Sequence, residues 1–183
     1  MTKEEYVILK DEYIDHIKEF ITEHGQLFSH ITVFGKLKTP KDEDEKKPAM
    51  IHIIIPPDFM KNDDSKDMFI NKLLPEVSKE LNKDFLIYGT VWSSEAWMRI
   101  AGADFDIDKD DFRDIPGKKE VVIISFESED LDETFIYDIK RTGKQITSDG
   151  KLVDTIVLEE FMDDHKPTIT AGRFTGLYKK LKN

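Results

Sequence analysis

The densest group of potential ligands in this sequence is Asp104-Phe105-Asp106-Ile107-Asp108-Lys109-Asp110-Asp111. Calcium takes oxygen donors from alternate positions of a sharply turned loop, and counted from Asp104 the first, third, fifth and seventh positions are all Asp. The sixth position, where the loop needs Gly, is Lys109, and the twelfth, where a bidentate Glu belongs, is Ile115. Starting at Asp106 puts Asp111 sixth and Gly117 twelfth. Neither register makes a calcium loop, so this stretch is expected to be a solvated acidic connection with no bound metal.

Imidazoles offer two further sets. Glu12, His16, Glu19 and Glu23 share one face of the first predicted helix, and such a set ligates metal when a facing helix completes it. The second predicted helix supplies Asp67, Asn71, Glu76 and Glu80 but no histidine, so the solvated face of an amphipathic helix accounts for these residues. His30 and His52 fall on consecutive predicted strands. With Glu95 they would form a two-histidine, one-carboxylate triad if the register brought them together. Gly-x-Ser-x-Gly, His-Glu-x-x-His and phosphate-binding glycine loops are missing, and without cysteine there is no thiol nucleophile or thiolate site. With no complete catalytic set and no cofactor motif, the expectation is a protein without catalytic activity of its own.

The most distinctive run is Ser93-Ser94-Glu95-Ala96-Trp97-Met98. On a strand Glu95 and Trp97 point the same way, being two residues apart. Either they line a pocket, or the strand end simply leaves the core there. The next predicted strand opens at Glu120, after a connection long enough to bring it alongside. Glu95 and Glu120 would then line one rim, with Trp97 as an apolar floor and the loop holding Asp104 and Asp106 as a cover. Paired carboxylates raise one another's pKa and favour a cation or a basic side chain. The candidate binding residues are therefore Glu95, Trp97, Glu120, Asp104 and Asp106. Ser94-Glu95-Ala96-Trp97-Met98 followed by Lys119-Glu120-Val121-Val122 resembles uncharacterised bacterial and phage proteins, in which a Ser-Glu-Ala-Trp-Met strand precedes a strand opening on a basic residue and Glu. The resemblance covers roughly residues 85–141 and implies no activity. It does imply that Glu95, Trp97 and Glu120 act together.

These residues need elements to hold them. Apolar residues at spacings of three and four predict a helix over 4–24, with a Thr2/Glu5 capping box and Gly25 as its stop. A second helix is expected over 64–82, kinked or broken by Pro75. Strands are expected at 28–37, 50–55, 85–98, 120–128, 133–141 and 152–161, and a short closing helix at 173–182. Gly89 suggests a bulge or a close backbone approach in the long strand. Met50–Ile55 is apolar on both parities, which predicts an interior strand. Strands mostly follow strands, so the fold class is α+β: a single twisted, mainly antiparallel sheet of about six strands with helices packed on one face.

The 183 residues are read as one domain, 1–183, since 39% hydrophobic residues and 12 Phe suffice for a sizeable core. The absence of cysteine, of a signal-peptide pattern and of a long apolar run points to a soluble cytoplasmic protein. A net charge of −11 opposes direct contact with nucleic acid or an anionic membrane. The expected function is a non-catalytic acidic interaction protein, phage-related by its resemblance, that binds a partner protein through acidic loops or a shallow acidic pocket. The same acids allow two alternatives. One is a nucleic-acid-mimicking inhibitor, using Asp104–Asp114, Glu127–Glu133 and Glu159–Asp164. The other is a metal-dependent hydrolase or nuclease built on Glu95, Asp104 and Asp106.

Overall fold

The structure, a computed structural model, describes residues 3–42, 47–98, 119–146, 150–160, 174 and 176–182, with the backbone alone at 3–7, 97 and 98. Six strands form one antiparallel sheet: β1 His30–Leu37, β2 Ala49–Ile54, β3 Phe85–Met98, β4 Lys119–Ser128, β5 Asp132–Ile146 and β6 Leu152–Glu160. Their order is β2-β1-β3-β4-β5-β6. The helices are α1 Lys3–His24, α2 Asp63–Met68, α3 Leu74–Asp84 and α4 Leu177–Lys182. This is the α+β class and the antiparallel sheet that the strand-after-strand order implies. No helix among the described residues is long and apolar enough to cross a membrane.

The helices are shared between the two faces of the sheet, where the order of elements alone would gather them on one. The reason lies in β1, which is buried on both sides: Ile31 and Val33 face one way, Thr32 and Phe34 the other. Phe34 joins Val91, Val122, Ile124 and Phe126 beneath Tyr13, Ile14, Ile17 and Ile21 of α1. Ile31 and Val33 belong to a second core with Phe85, Ile87, Leu74 of α3, and Leu177, Tyr178 and Leu181 of α4. Gly25 ends α1 as expected. Its φ is 76°, and its N–H donates to the Ile21 carbonyl at 2.8 Å.

A bulge in β3 and a π-helical turn after α2 shape the part of the fold around the site. Phe34 pairs with Gly89 but Gly35 pairs with Ile87, which leaves Tyr88 as an extra residue of β3. That bulge reverses the facing of β3, so Ile87 lies in the α3–α4 core and Val91 in the α1 core. By simple parity Ile87 would have shared a face with Val91 and Glu95. Gly35 is required at the bulge, because a Cβ there would run into the Leu86 carbonyl and the Phe85 ring. Between α2 and α3 a π-helical turn, Phe69–Leu73, accommodates Pro75 without ending the helical segment.

The second strand is an edge strand, not an interior one. Ile51 and Ile53 pack partly against the α3–α4 core, while Met50 and Ile54 are 53% and 69% exposed. An apolar run on both parities therefore marks one covered face and one bare face here.

Candidate functional site

The third and fourth strands pair antiparallel, with Trp97 opposite Glu120 and Glu95 opposite Val122. Directly opposed residues share a sheet face, so Glu95 and Glu120 lie on the face that carries α1. The Trp97 side chain, and Asp104 and Asp106 entirely, fall outside the described residues.

The two glutamates sit in different electrostatic surroundings. Glu120 is held by Arg141 in a two-pronged pair, Nη2 to Oε1 at 2.7 Å and Nε to Oε2 at 2.9 Å. The same guanidinium donates to the Gly25 carbonyl at 3.1 Å and to Asp154 at 3.2 Å. It thereby ties β4, β5 and β6 to the end of α1. Glu95 is half-buried, and its Oε1 accepts the Leu27 N–H at 2.5 Å. Burial pushes the Glu95 carboxyl above its ordinary range and the charge of Glu120 adds to this, while the Leu27 N–H and Arg141 pull it back.

Glu95 reaches open space because β1 pairs with β3 only as far as His30 opposite Ser93. Beyond that point the edge of β3 faces a cleft of about 620 Å³. Its walls are mainly apolar: Leu27, Met60 and the indole of Trp92, which stacks on Phe174 at 5.0 Å and 5°. Ser29 and Ser94 bridge hydroxyl to hydroxyl in the same wall. The indole N–H of Trp92 is buried and finds no acceptor among the described residues. Lys61 and Lys66 also line the cleft, and each pairs with an acid three residues before it, Asp58 at 2.5 Å and Asp63 at 3.8 Å. Trp92, Leu27 and the two lysines carry no sequence signal that marks them for this site. Trp92 has the opposite parity to Glu95, and both reach the cleft only because the sheet is open at this end.

A second polar cluster lies under α1. His30 and His52 are diagonal neighbours on one sheet face, as their consecutive strands implied, with ring centroids 6.1 Å apart. The His30 Nδ1–H donates to the Phe28 carbonyl at 2.9 Å, so in the neutral ring Nε2 must accept, and it takes the Tyr13 O–H at 2.8 Å. The Tyr13 oxygen then receives the hydroxyls of Thr32 at 3.2 Å and Ser93 at 3.0 Å, and Thr32 accepts from His52 Nδ1 at 2.9 Å. Burial pushes both imidazoles below the ordinary histidine range. A cavity of about 300 Å³, walled by Ile17, Phe20 and Phe28, opens beside the two rings. Glu95 does not complete a triad there, since Leu27 holds it. No group of three His, Asp or Glu side chains among the described residues is placed to hold a metal. On α1, Glu12, His16, Glu19 and Glu23 are all exposed.

Most acids of the described surface strands are engaged with the protein's own cations or amides. Glu127 is buried and accepts the N–H groups of Gly176 and Tyr178 at 2.7 and 3.0 Å, which caps α4. Glu129 pairs with Lys182, Glu133 with Lys10, and Glu159 with Lys140. Comparisons with protein families, with curated proteins and with solved structures find no match for this chain.

Proposed function

We propose that this is a non-catalytic interaction protein that receives a positively charged side chain of a partner protein in the Glu95 cleft. The observation that carries the reading is the Glu95 carboxylate itself, half-buried beside an apolar wall and fixed through one oxygen by the Leu27 N–H. A lysine or arginine suits this shape. Its aliphatic stem would lie along Leu27, Met60 and Trp92, and its charged head would meet the remaining oxygen of Glu95. The rim lysines oppose a cation less than their number suggests, because Asp58 and Asp63 offset their charge. Glu120 deepens the negative potential only weakly, being neutralised by Arg141. Recognition at this position therefore rests on Glu95.

The test is an NMR titration with N-acetyl-arginine methylamide as probe, following the Trp92 indole N–H and the Leu27 amide. Both signals should move together and saturate. Glu95→Gln should weaken the interaction about 10- to 100-fold, the worth of a hydrogen bond to a charged group. Added salt should weaken it further. Shifts that fall elsewhere, or that survive Glu95→Gln unchanged, would overturn the assignment.

A further inference from the structure

We infer that this chain forms a two-fold dimer in which β2 of one copy pairs antiparallel with β2 of the other, joining two six-stranded sheets into one. Among the described residues no strand pairs with the outer edge of β2. The Ile55 N–H donates to the Ser29 carbonyl at 2.9 Å, and in an antiparallel ladder successive residues point their N–H and C=O groups to opposite sides. Ile51 and Ile53 thus bond to β1, while Met50, His52 and Ile54 turn their backbone groups outward.

The side chains suit a second copy. Exposed sheet edges are ordinarily guarded by charge, proline or a bulge; Ala49–Ile54 contains no charged residue and no proline, and Pro48 and Pro56 limit an added ladder to Met50, His52 and Ile54. The opposite edge is of the guarded kind: β6 carries the charged residues Asp154, Glu159 and Glu160. For a chain of net charge −11, the uncharged edge is where like copies approach at least electrostatic cost. Antiparallel pairing centred on His52 sets Met50 against Ile54 of the second copy. On the α1 face, exposed Ile54 and Phe28 extend the contact as an apolar patch. Six-residue strands make a small interface, at the low end of specific contacts, so the association is weak and concentration-dependent.

Sedimentation equilibrium from low to several hundred micromolar should show the mass rising from 21.3 kDa toward twice that value. Over the same range the Met50, His52 and Ile54 amides should gain hydrogen-exchange protection, while Ile51 and Ile53 stay protected throughout. Ile54→Lys charges the edge, and Met50→Pro removes an outward N–H without touching the bonds to β1. Each should give a folded monomer at concentrations where the wild type is dimeric. A wild type that stays at 21.3 kDa at the highest concentration overturns the inference. So does a dimer that ignores Ile54→Lys, or one abolished instead by Val157→Lys on β6.

Discussion

Removing the hydroxyl of Tyr13 tests whether the buried hydrogen-bond chain beneath α1 holds that helix to the sheet. Tyr13→Phe keeps the ring, which packs edge-on against Phe34 and Phe126 at 5.9 and 5.7 Å, so no cavity opens. What is lost is one oxygen with three partners, His30 Nε2, Thr32 Oγ1 and Ser93 Oγ. Thr32 keeps its bond to His52 and the Ser93 hydroxyl can rotate, but His30 Nε2 is left without a donor. A buried polar group deprived of its partner costs about 1–3 kcal/mol, and with one group stranded and two weakened the sum is about 2–4 kcal/mol. For a chain of this length that lowers Tm by about 4–16 °C. Urea unfolding gives the free energy directly, and a double-mutant cycle with Thr32→Val should show strong coupling between the two positions. A loss under about 0.5 kcal/mol, the range of ordinary surface substitutions, would refute the reasoning.

Both pH effects have a defined sign. His30 and His52 titrate below the ordinary value of 6.5 in the fold, so the unfolded chain binds more protons in that window. Stability should be full above pH 6.5 and fall as the pH drops through the folded values, with a shallower fall in His30→Gln, read from Tm against pH. Glu95 titrates above its ordinary 4.5, so the folded state binds the extra proton and stability falls as pH rises through that window. Glu95→Gln should therefore be at least as stable as the wild type at neutral pH, and the two should converge on acidification. Gly35→Ala should cost about 3 kcal/mol by urea unfolding, because the Leu86 backbone must move to admit a methyl group. Glu127→Ala strands the N–H groups of Gly176 and Tyr178, and should cost about 2–3 kcal/mol with loss of exchange protection in α4.

Local signals in the sequence were legible where one residue type had one physical meaning. Gly25 ends α1 because the left-handed turn there favours glycine, and β3 announces itself through the aromatic and β-branched residues Phe85, Ile87, Tyr88, Thr90, Val91 and Trp92. The facing of Glu95 with Glu120 followed from alternation plus one antiparallel pairing. Features that depend on distant partners were not legible. Arg141 is 21 residues from Glu120, and nothing at either position announces the pair. The apolar run of β2 reads alike for an interior strand and for an edge strand with one covered face. The bulge at Tyr88 was suggested by Gly89, but its consequence, the reversal of facing between Ile87 and Val91, needed the β1 register. Trp92 and Lys66 enter the cleft from the opposite parity and from a separate helix, so no spacing rule joins them to Glu95.

The most direct test of the Glu95 site is the carboxyl ¹³C titration of its side chain, free and with the arginine probe bound. The free protein should show Glu95 titrating above ordinary glutamates, because burial opposes its charge. Binding a guanidinium should bring that value down, since a cation beside the carboxylate favours its ionised form. A Glu95 titration that does not move when the probe binds would contradict the central claim.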